Sequence, residues 1–135
     1  MKKQTVYLDM DGTIYPLYEQ KNWLARLRNG DPSVFSADEQ IVSEARLYEV
    51  FPTDKYDVRV LSMTPAGATK EYAEQVKEVK NAWLDKFFPT LTKRIYKPYG
   101  HNKNLKNSAN AILVDDSEVI RKNFKGLALD PVALW

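Results

Sequence analysis

Thr5-Val6-Tyr7-Leu8-Asp9-Met10-Asp11-Gly12-Thr13 joins a short apolar strand to two carboxylates one residue apart, followed at once by glycine and threonine. Side chains at i and i+2 of a strand point to the same side. Asp9 and Asp11 can therefore converge where the chain leaves a sheet, with Gly12 allowing a sharp backbone turn. Carboxylates held that close repel each other, so one must bind a cation or keep a proton. The arrangement suits a carboxylate nucleophile beside a carboxylic general acid. The plainer alternative is a strand ended by an Asp-Gly turn whose acids stay in water.

Outward from this stretch, strands and helices alternate. Apolar runs predict strands over Thr5 to Asp9, Tyr56 to Ser62, Lys93 to Tyr99, Ala111 to Asp115 and Leu127 to Leu129. The clearest helix runs from Lys70 to Phe88. Its apolar positions Tyr72, Val76, Val79, Trp83 and Phe87 recur at helical spacing, and Pro89 stops it. Segments near Lys103 to Ala109 and Ser117 to Phe124 are expected to supply the later crossovers. The alternation predicts an α/β fold: a mainly parallel five-stranded sheet with helices on both faces. Ligands of such sheets collect at the carboxyl ends of the strands, where Asp9, Ser62 and Asp115 fall.

Residues 14–55 form a long strand-free insertion after the first strand. A helix is expected around Leu17 to Arg28, then a break at Asn29-Gly30-Asp31-Pro32 and a second helix. Ser36-Ala37-Asp38-Glu39 has capping-box spacing ahead of Ile41, Ala45, Tyr48 and Phe51. This small helical cap would either lie over the site as a lid or cover a sheet edge as a hairpin.

With 135 residues the chain is expected to form one domain, residues 1–135. Its 44% hydrophobic and 28% charged content is ordinary for a globular protein. A net charge of +2 argues for neither a nucleic-acid nor an anionic-membrane partner. Without cysteine there are no disulfides or thiolate metal sites. Met1-Lys2-Lys3-Gln4 does not open a signal peptide, and no apolar run reaches membrane-spanning length. A cytoplasmic location is the expectation.

Further candidates complete a site. Ala111-Ile112-Leu113-Val114-Asp115-Asp116-Ser117 is a second strand ending in acids. Such hard oxygen ligands favour Mg²⁺, although Asp116 or Ser117 could instead cap the next helix. Val60-Leu61-Ser62-Met63-Thr64-Pro65 places hydroxyls where the second strand ends, suited to a phosphate oxygen or to turn chemistry alone. A cation is needed against phosphoryl charge. Lys103, in the turn Tyr99-Gly100-His101-Asn102-Lys103, is the leading candidate, with Lys80 on the long helix as its competitor and Lys97 and Lys106 as further options.

Asp9-Met10-Asp11-Gly12-Thr13, then Ser62, a lysine, and Asp115-Asp116 together resemble the haloacid dehalogenase-like (HAD) phosphohydrolase superfamily across nearly the whole chain. Within it the sequence is most similar to the 5'(3')-deoxyribonucleotidases and their small bacterial and phage relatives. The likeness lies in the Asp-Met-Asp-Gly opening, a hydroxyl-and-proline turn, a helix resembling Val79-Lys80-Asn81-Ala82-Trp83-Leu84, and a lysine in the place of Lys103. Two features depart from the family. The Ser-Met-Thr-Pro turn is one residue longer than the usual Thr-Ser-Pro, leaving the phosphate-binding hydroxyl open, and the insertion is compact.

The resemblance implies a three-layer Rossmannoid fold and a Mg²⁺-dependent phosphomonoesterase. Asp9 would be the nucleophile and Asp11 the general acid. Asp9, the Asp11 carbonyl, and Asp115 or Asp116 would hold Mg²⁺. Gly12, Thr13, Ser62, Met63, Thr64 and Lys103 would surround phosphate. Asp11 separates this reading from dehalogenases, which generally lack a second acid there, and from P-type pumps, which carry threonine. A nucleoside monophosphate is the expected substrate class. Alternatives are a phosphatase acting on a nucleic-acid 3'-phosphate end, for which Lys93 to Tyr99 has a basic-aromatic flavour, and a HAD-like domain that only binds. Trp83 is expected in the core, Tyr15 and Tyr18 in the pocket or the insertion, and His101 in its turn; Trp23 is a candidate for stacking on a base.

Overall fold

Strand β1 (Gln4–Leu8) is buried on both faces. Val6 and Leu8 pack to one side and Tyr7 to the other, all three essentially inaccessible. That double burial is why its sequence runs apolar instead of alternating. In the computed structural model, which describes residues 2–135, β1 is the central strand of a five-stranded sheet. Its companions are β2 (Tyr56–Met63), β3 (Arg94–Lys97), β4 (Ile112–Val114) and β5 (Leu127–Leu129). The order is β3-β2-β1-β4-β5 and every pairing is parallel, an α/β fold of Rossmann-like type.

The chain first builds outward from β1 through β2 to β3, then returns to the other side of β1 with β4. The carboxyl ends of β1 and β4 therefore flank the point where the strand order reverses, the crevice in which open α/β sheets bind ligands.

Four α-helices accompany the sheet: α1 (Trp23–Arg28), α2 (Glu44–Val50), α3 (Lys70–Phe87) and α4 (Glu118–Asn123). Val6, Leu8, Val60 and Val114 share a core with Leu47 of α2 and with Val76, Trp83 and Leu84 of α3. On the opposite face Tyr7, Leu61 and Leu113 pack with Ile120 of α4, Phe124 and Leu105. Thr69 and Ser117 cap α3 and α4, each accepting a backbone N–H three residues on. Among the described residues no helix is long and apolar enough to cross a membrane.

The structure corrects several boundaries. β2 runs one residue further than expected because Met63 pairs with Lys97. β3 is shorter, ending just before Pro98, which has no N–H for a ladder. The helix expected over Leu17 to Arg28 is broken. A 3₁₀ turn at Leu17–Glu19 precedes α1, and Asn22 between them is left-handed at φ 58°. Ser36 caps no helix, since its hydroxyl donates to the Ser33 carbonyl, and α2 begins only after the Ser43 cap. The segment between is irregular and is tied down by the Ile41 N–H on the Ile14 carbonyl (2.8 Å). Lys103 to Ala109 is a loop with a 3₁₀ turn at Ser108–Asn110. There Asn102 and Ser108 side chains capture the N–H groups of Asn104 and Leu105, the local competition that disfavours helix.

Trp83 joins the insertion to α3. It is buried, meets Tyr15 edge-on at 5.0 Å, packs against Phe87 and Phe88, and donates its indole N–H to the Glu39 carbonyl. Tyr15 donates its hydroxyl to the Val34 carbonyl and accepts the Ala37 N–H, so it packs the insertion and does not line a pocket. Trp83→Ala is expected to lower stability by roughly 3–5 kcal/mol, read as a lower urea midpoint at unchanged m-value.

Candidate active site

The parallel ladder continues one residue past β1 and β4. The Asp9 N–H donates to the Val114 carbonyl (3.0 Å) and the Asp115 N–H to the Leu129 carbonyl (3.2 Å). These bonds set two buried acids side by side at the switch point. Between them lies the Lys103 ammonium, 2.6 Å from Asp9 Oδ1 and 2.7 Å from Asp115 Oδ2. The Thr13 hydroxyl donates to Asp9 Oδ2 (2.9 Å) and the Ser117 N–H to Asp115 Oδ1 (2.9 Å). Each oxygen of both carboxylates thus has a donor, which fixes their rotation. Burial pulls the Lys103 ammonium down, but Asp9 and Asp115 outweigh it and raise its pKa, so it stays charged.

Lys103 reaches this position from a strained turn. Its backbone is left-handed (φ 63°), and its N–H donates to His101 Nδ1 (2.8 Å). His101 thus acts as a turn acceptor; burial, then Lys97 and Lys103, hold its imidazole below the usual range.

Asp116 completes an acidic cluster. Carboxylate oxygens of Asp9, Asp115 and Asp116 all lie within 4.8 Å of one another. Burial, then the neighbouring Asp9, pushes the Asp116 carboxyl up to about 8, and burial with Asp9 also raises Asp115. Gly12 makes the close approach possible. Its φ is 83°, and a Cβ there would stand 2.2 Å from Asp116 Oδ2 and 2.7 Å from the Tyr18 ring.

Asp11 takes a different partner. Its Oδ2 accepts from the Lys80 ammonium at 2.9 Å, while its Oδ1 is buried without a hydrogen bond. Burial raises the Asp11 pKa against the opposing pull of Lys80. Lys80 also donates to Ser62 Oγ (2.8 Å) and the Met63 carbonyl (3.0 Å), and sits 4.7 Å over the Phe35 ring.

A cleft of about 680 Å³ opens over these groups. Of the residues expected from sequence, it brings together Asp9, Asp11, Met63, Thr64, Lys103, Asp115 and Asp116. Gly12, Thr13, Ser62 and Lys80 stand behind this surface. The Gly12 and Thr13 N–H groups are spent inside their own turn, on the Tyr15 and Met10 carbonyls. Ser62 is wholly buried under Lys80, so the hydroxyl-bearing residue that lines the cleft at the end of β2 is Thr64.

The opposite wall comes from the insertion: Leu17, Tyr18, Trp23, Leu24, Leu27 and Phe35. Leu17, Leu24, Leu27 and Phe35 were not among the site residues expected from sequence. Their apolar spacing signals a packed helix face, which is indistinguishable in sequence from a pocket wall. In the basic segment around β3, Lys93 pairs with Asp57 (3.0 Å) and Arg94 with Asp85 (2.8 Å), and Tyr96 donates to Asn81.

No protein-family model matches the chain, and no curated protein is significantly similar to it.

The cluster predicts a pH dependence of folding in metal-free protein. The Asp116 carboxyl is pushed up to about 8 from an ordinary 3.8, and Asp115 and Asp11 are raised as well, so above 3.8 the folded state binds more protons. Stability therefore falls as pH rises through that range. The lowered His101 acts oppositely around 6.5. Urea unfolding in EDTA at pH 5 and pH 8 is expected to show Asp116→Asn reducing the loss that the unmodified protein suffers at the higher pH.

Proposed function

We propose that this chain is a Mg²⁺-dependent HAD-type phosphomonoesterase acting on a small phosphate ester, with a nucleoside monophosphate as the leading substrate class. The observation that carries the reading is the convergence of Asp9, Asp11, Lys103, Asp115 and Asp116 at one sheet edge, in one cleft.

The donor set fits Mg²⁺. Asp9, Asp115 and Asp116 offer hard carboxylate oxygens within a few ångströms. Fully ionised, the four carboxylates exceed the two ammonium groups in negative charge, an excess that protons meet in metal-free protein and that a divalent cation would meet in their place. Asp9, Asp115 or Asp116, and the Asp11 carbonyl would hold it. When bound, the ion supplies charge neutralisation that lets an anionic nucleophile meet an anionic substrate.

In this mechanism a carboxylate oxygen of Asp9 attacks phosphorus in line. The new P–O bond forms as the bond to the ester oxygen breaks, and Asp11 gives that oxygen its proton. Water then attacks the phosphorus of the aspartyl-phosphate, Asp11 takes the water's proton, and Asp9 is released with inorganic phosphate. Lys103 and the Thr64 hydroxyl stabilise charge on the phosphoryl oxygens. Thr13 and Ser117 keep the Asp9 and Asp115 carboxylates from rotating. The apolar wall excludes water from the leaving-group side. The pairing of Lys93 and Arg94 with acids favours a small substrate over a polymer end, and the cysteine-free chain accords with a cytoplasmic location.

Phosphate release would be followed on 5'- and 3'-nucleotides, sugar phosphates and a 3'-phosphorylated oligonucleotide. Turnover is expected only with Mg²⁺ and to fall by about 10³-fold or more in Asp9→Asn, on the scale of losing a covalent nucleophile. Activity that survives Asp9→Asn or excess EDTA contradicts the mechanism. Preference for the oligonucleotide contradicts the substrate class.

A further inference from the structure

We propose that Lys80 is a positioning residue, which fixes Asp11 in the orientation its proton transfer needs and binds no phosphate. The inference rests on the phosphomonoesterase reading. Lys80 lies on the buried stripe of α3, among Tyr72, Val76, Trp83 and Leu84, and is almost inaccessible to solvent. Stability alone does not call for a lysine there. Well-packed apolar replacements of buried ion pairs are often neutral or stabilising.

An ammonium has three N–H donors, and Lys80 uses all three on protein oxygens: Asp11 Oδ2, Ser62 Oγ and the Met63 carbonyl. The Phe35 ring covers it on a further side. No donor remains for a substrate oxygen, and Lys80 does not reach the cleft surface, which Asp11, Met63 and Phe35 form in front of it. Lys103 is thereby left as the lysine that meets phosphate.

Lys80 holds Asp11 by one oxygen: Oδ2 is fixed at 2.9 Å, while Oδ1 is buried and has no protein partner. The side chain so fixed lines the cleft, and with Oδ2 accepting from the ammonium, Oδ1 is the oxygen left to carry the proton of the general acid. Fixing the general acid in one orientation is the preorganisation that proximity effects require.

The test compares the unmodified protein with Lys80→Met, or with Lys80→Gln should the first not fold. In a crystal structure of the variant, Asp11 is expected to leave its present rotamer; an unmoved Asp11 overturns the proposal whether or not the protein is active. In kinetics, kcat/KM for an alkyl phosphate is expected to fall about 100-fold, within the range of general acid catalysis. For p-nitrophenyl phosphate, whose leaving group needs no proton, the expected loss is under about 5-fold. Equal losses on both substrates would mean a merely structural role and overturn the proposal. Calorimetric affinity for orthovanadate should not change; a tenfold loss would reassign Lys80 as a phosphate ligand. Failure of the phosphomonoesterase reading shows separately, as Mg²⁺-independent turnover or turnover that survives Asp9→Asn.

Discussion

Four carboxylates and two buried ammonium groups share the carboxyl edge of the sheet, Asp9, Asp11, Asp115 and Asp116 against Lys80 and Lys103. Two like charges about 4 Å apart repel by roughly 4 kcal/mol at an effective dielectric of 20. That is a large part of the 5–15 kcal/mol by which a domain is typically stable, so the cluster cannot persist without compensation. Lys103 neutralises charge between Asp9 and Asp115, Lys80 does so at Asp11, and Asp116 meets the remainder by keeping its proton up to about 8. Such a cluster is poor economy for stability and good design for binding a cation.

The two lysines arrive from opposite faces of the sheet. Lys80 belongs to α3, packed on the face of Val6 and Val60, whereas Leu105, just after Lys103, packs with Tyr7 and Leu61 on the other. Asp9 and Asp11 line one cleft, yet each is claimed from a different layer. A sheet covered on both faces is therefore a requirement of the charge arrangement as well as of the apolar core. The left-handed backbone at Lys103 follows from the same demand. The loop must fold back sharply after Pro98 to place a long side chain between two acids, and His101 Nδ1 and the Asn102 side chain hold that turn.

The sheet was legible because its central strands are buried on both sides, so that Val6 to Leu8 and Ile112 to Val114 read as unbroken apolar runs. The acids were legible because they terminate those runs. The insertion was much less so. Its geometry comes from contacts remote in sequence: Trp83 on Glu39, Ile41 on Ile14, Tyr15 on Val34 and Ala37. Local capping patterns such as that at Ser36 cannot report these contacts. Lys80 carried a signal that periodicity offers but that was not weighed. It falls four residues after Val76 and three before Trp83, on the apolar stripe itself, where an unpaired charge would be prohibitive. Lys80 and Lys103 are not alternatives in the fold, which uses both together on different carboxylates.

Phe35 ties the insertion to this network. Its ring lines the cleft and also covers the Lys80 ammonium at 4.7 Å. A movement that swung the insertion off the sheet would expose that buried ammonium and break the Tyr15 and Trp83 contacts at the same time. The wall over the acidic floor is thus part of the charged core, with its stability coupled to Asp11 through Lys80. The route into the site that leaves this coupling intact lies through the open mouth, where Tyr18, Leu24, Tyr99 and Val119 are exposed at the rim. An apolar wall thus faces fixed charges directly, and the low local dielectric it imposes strengthens the charge contacts beneath it.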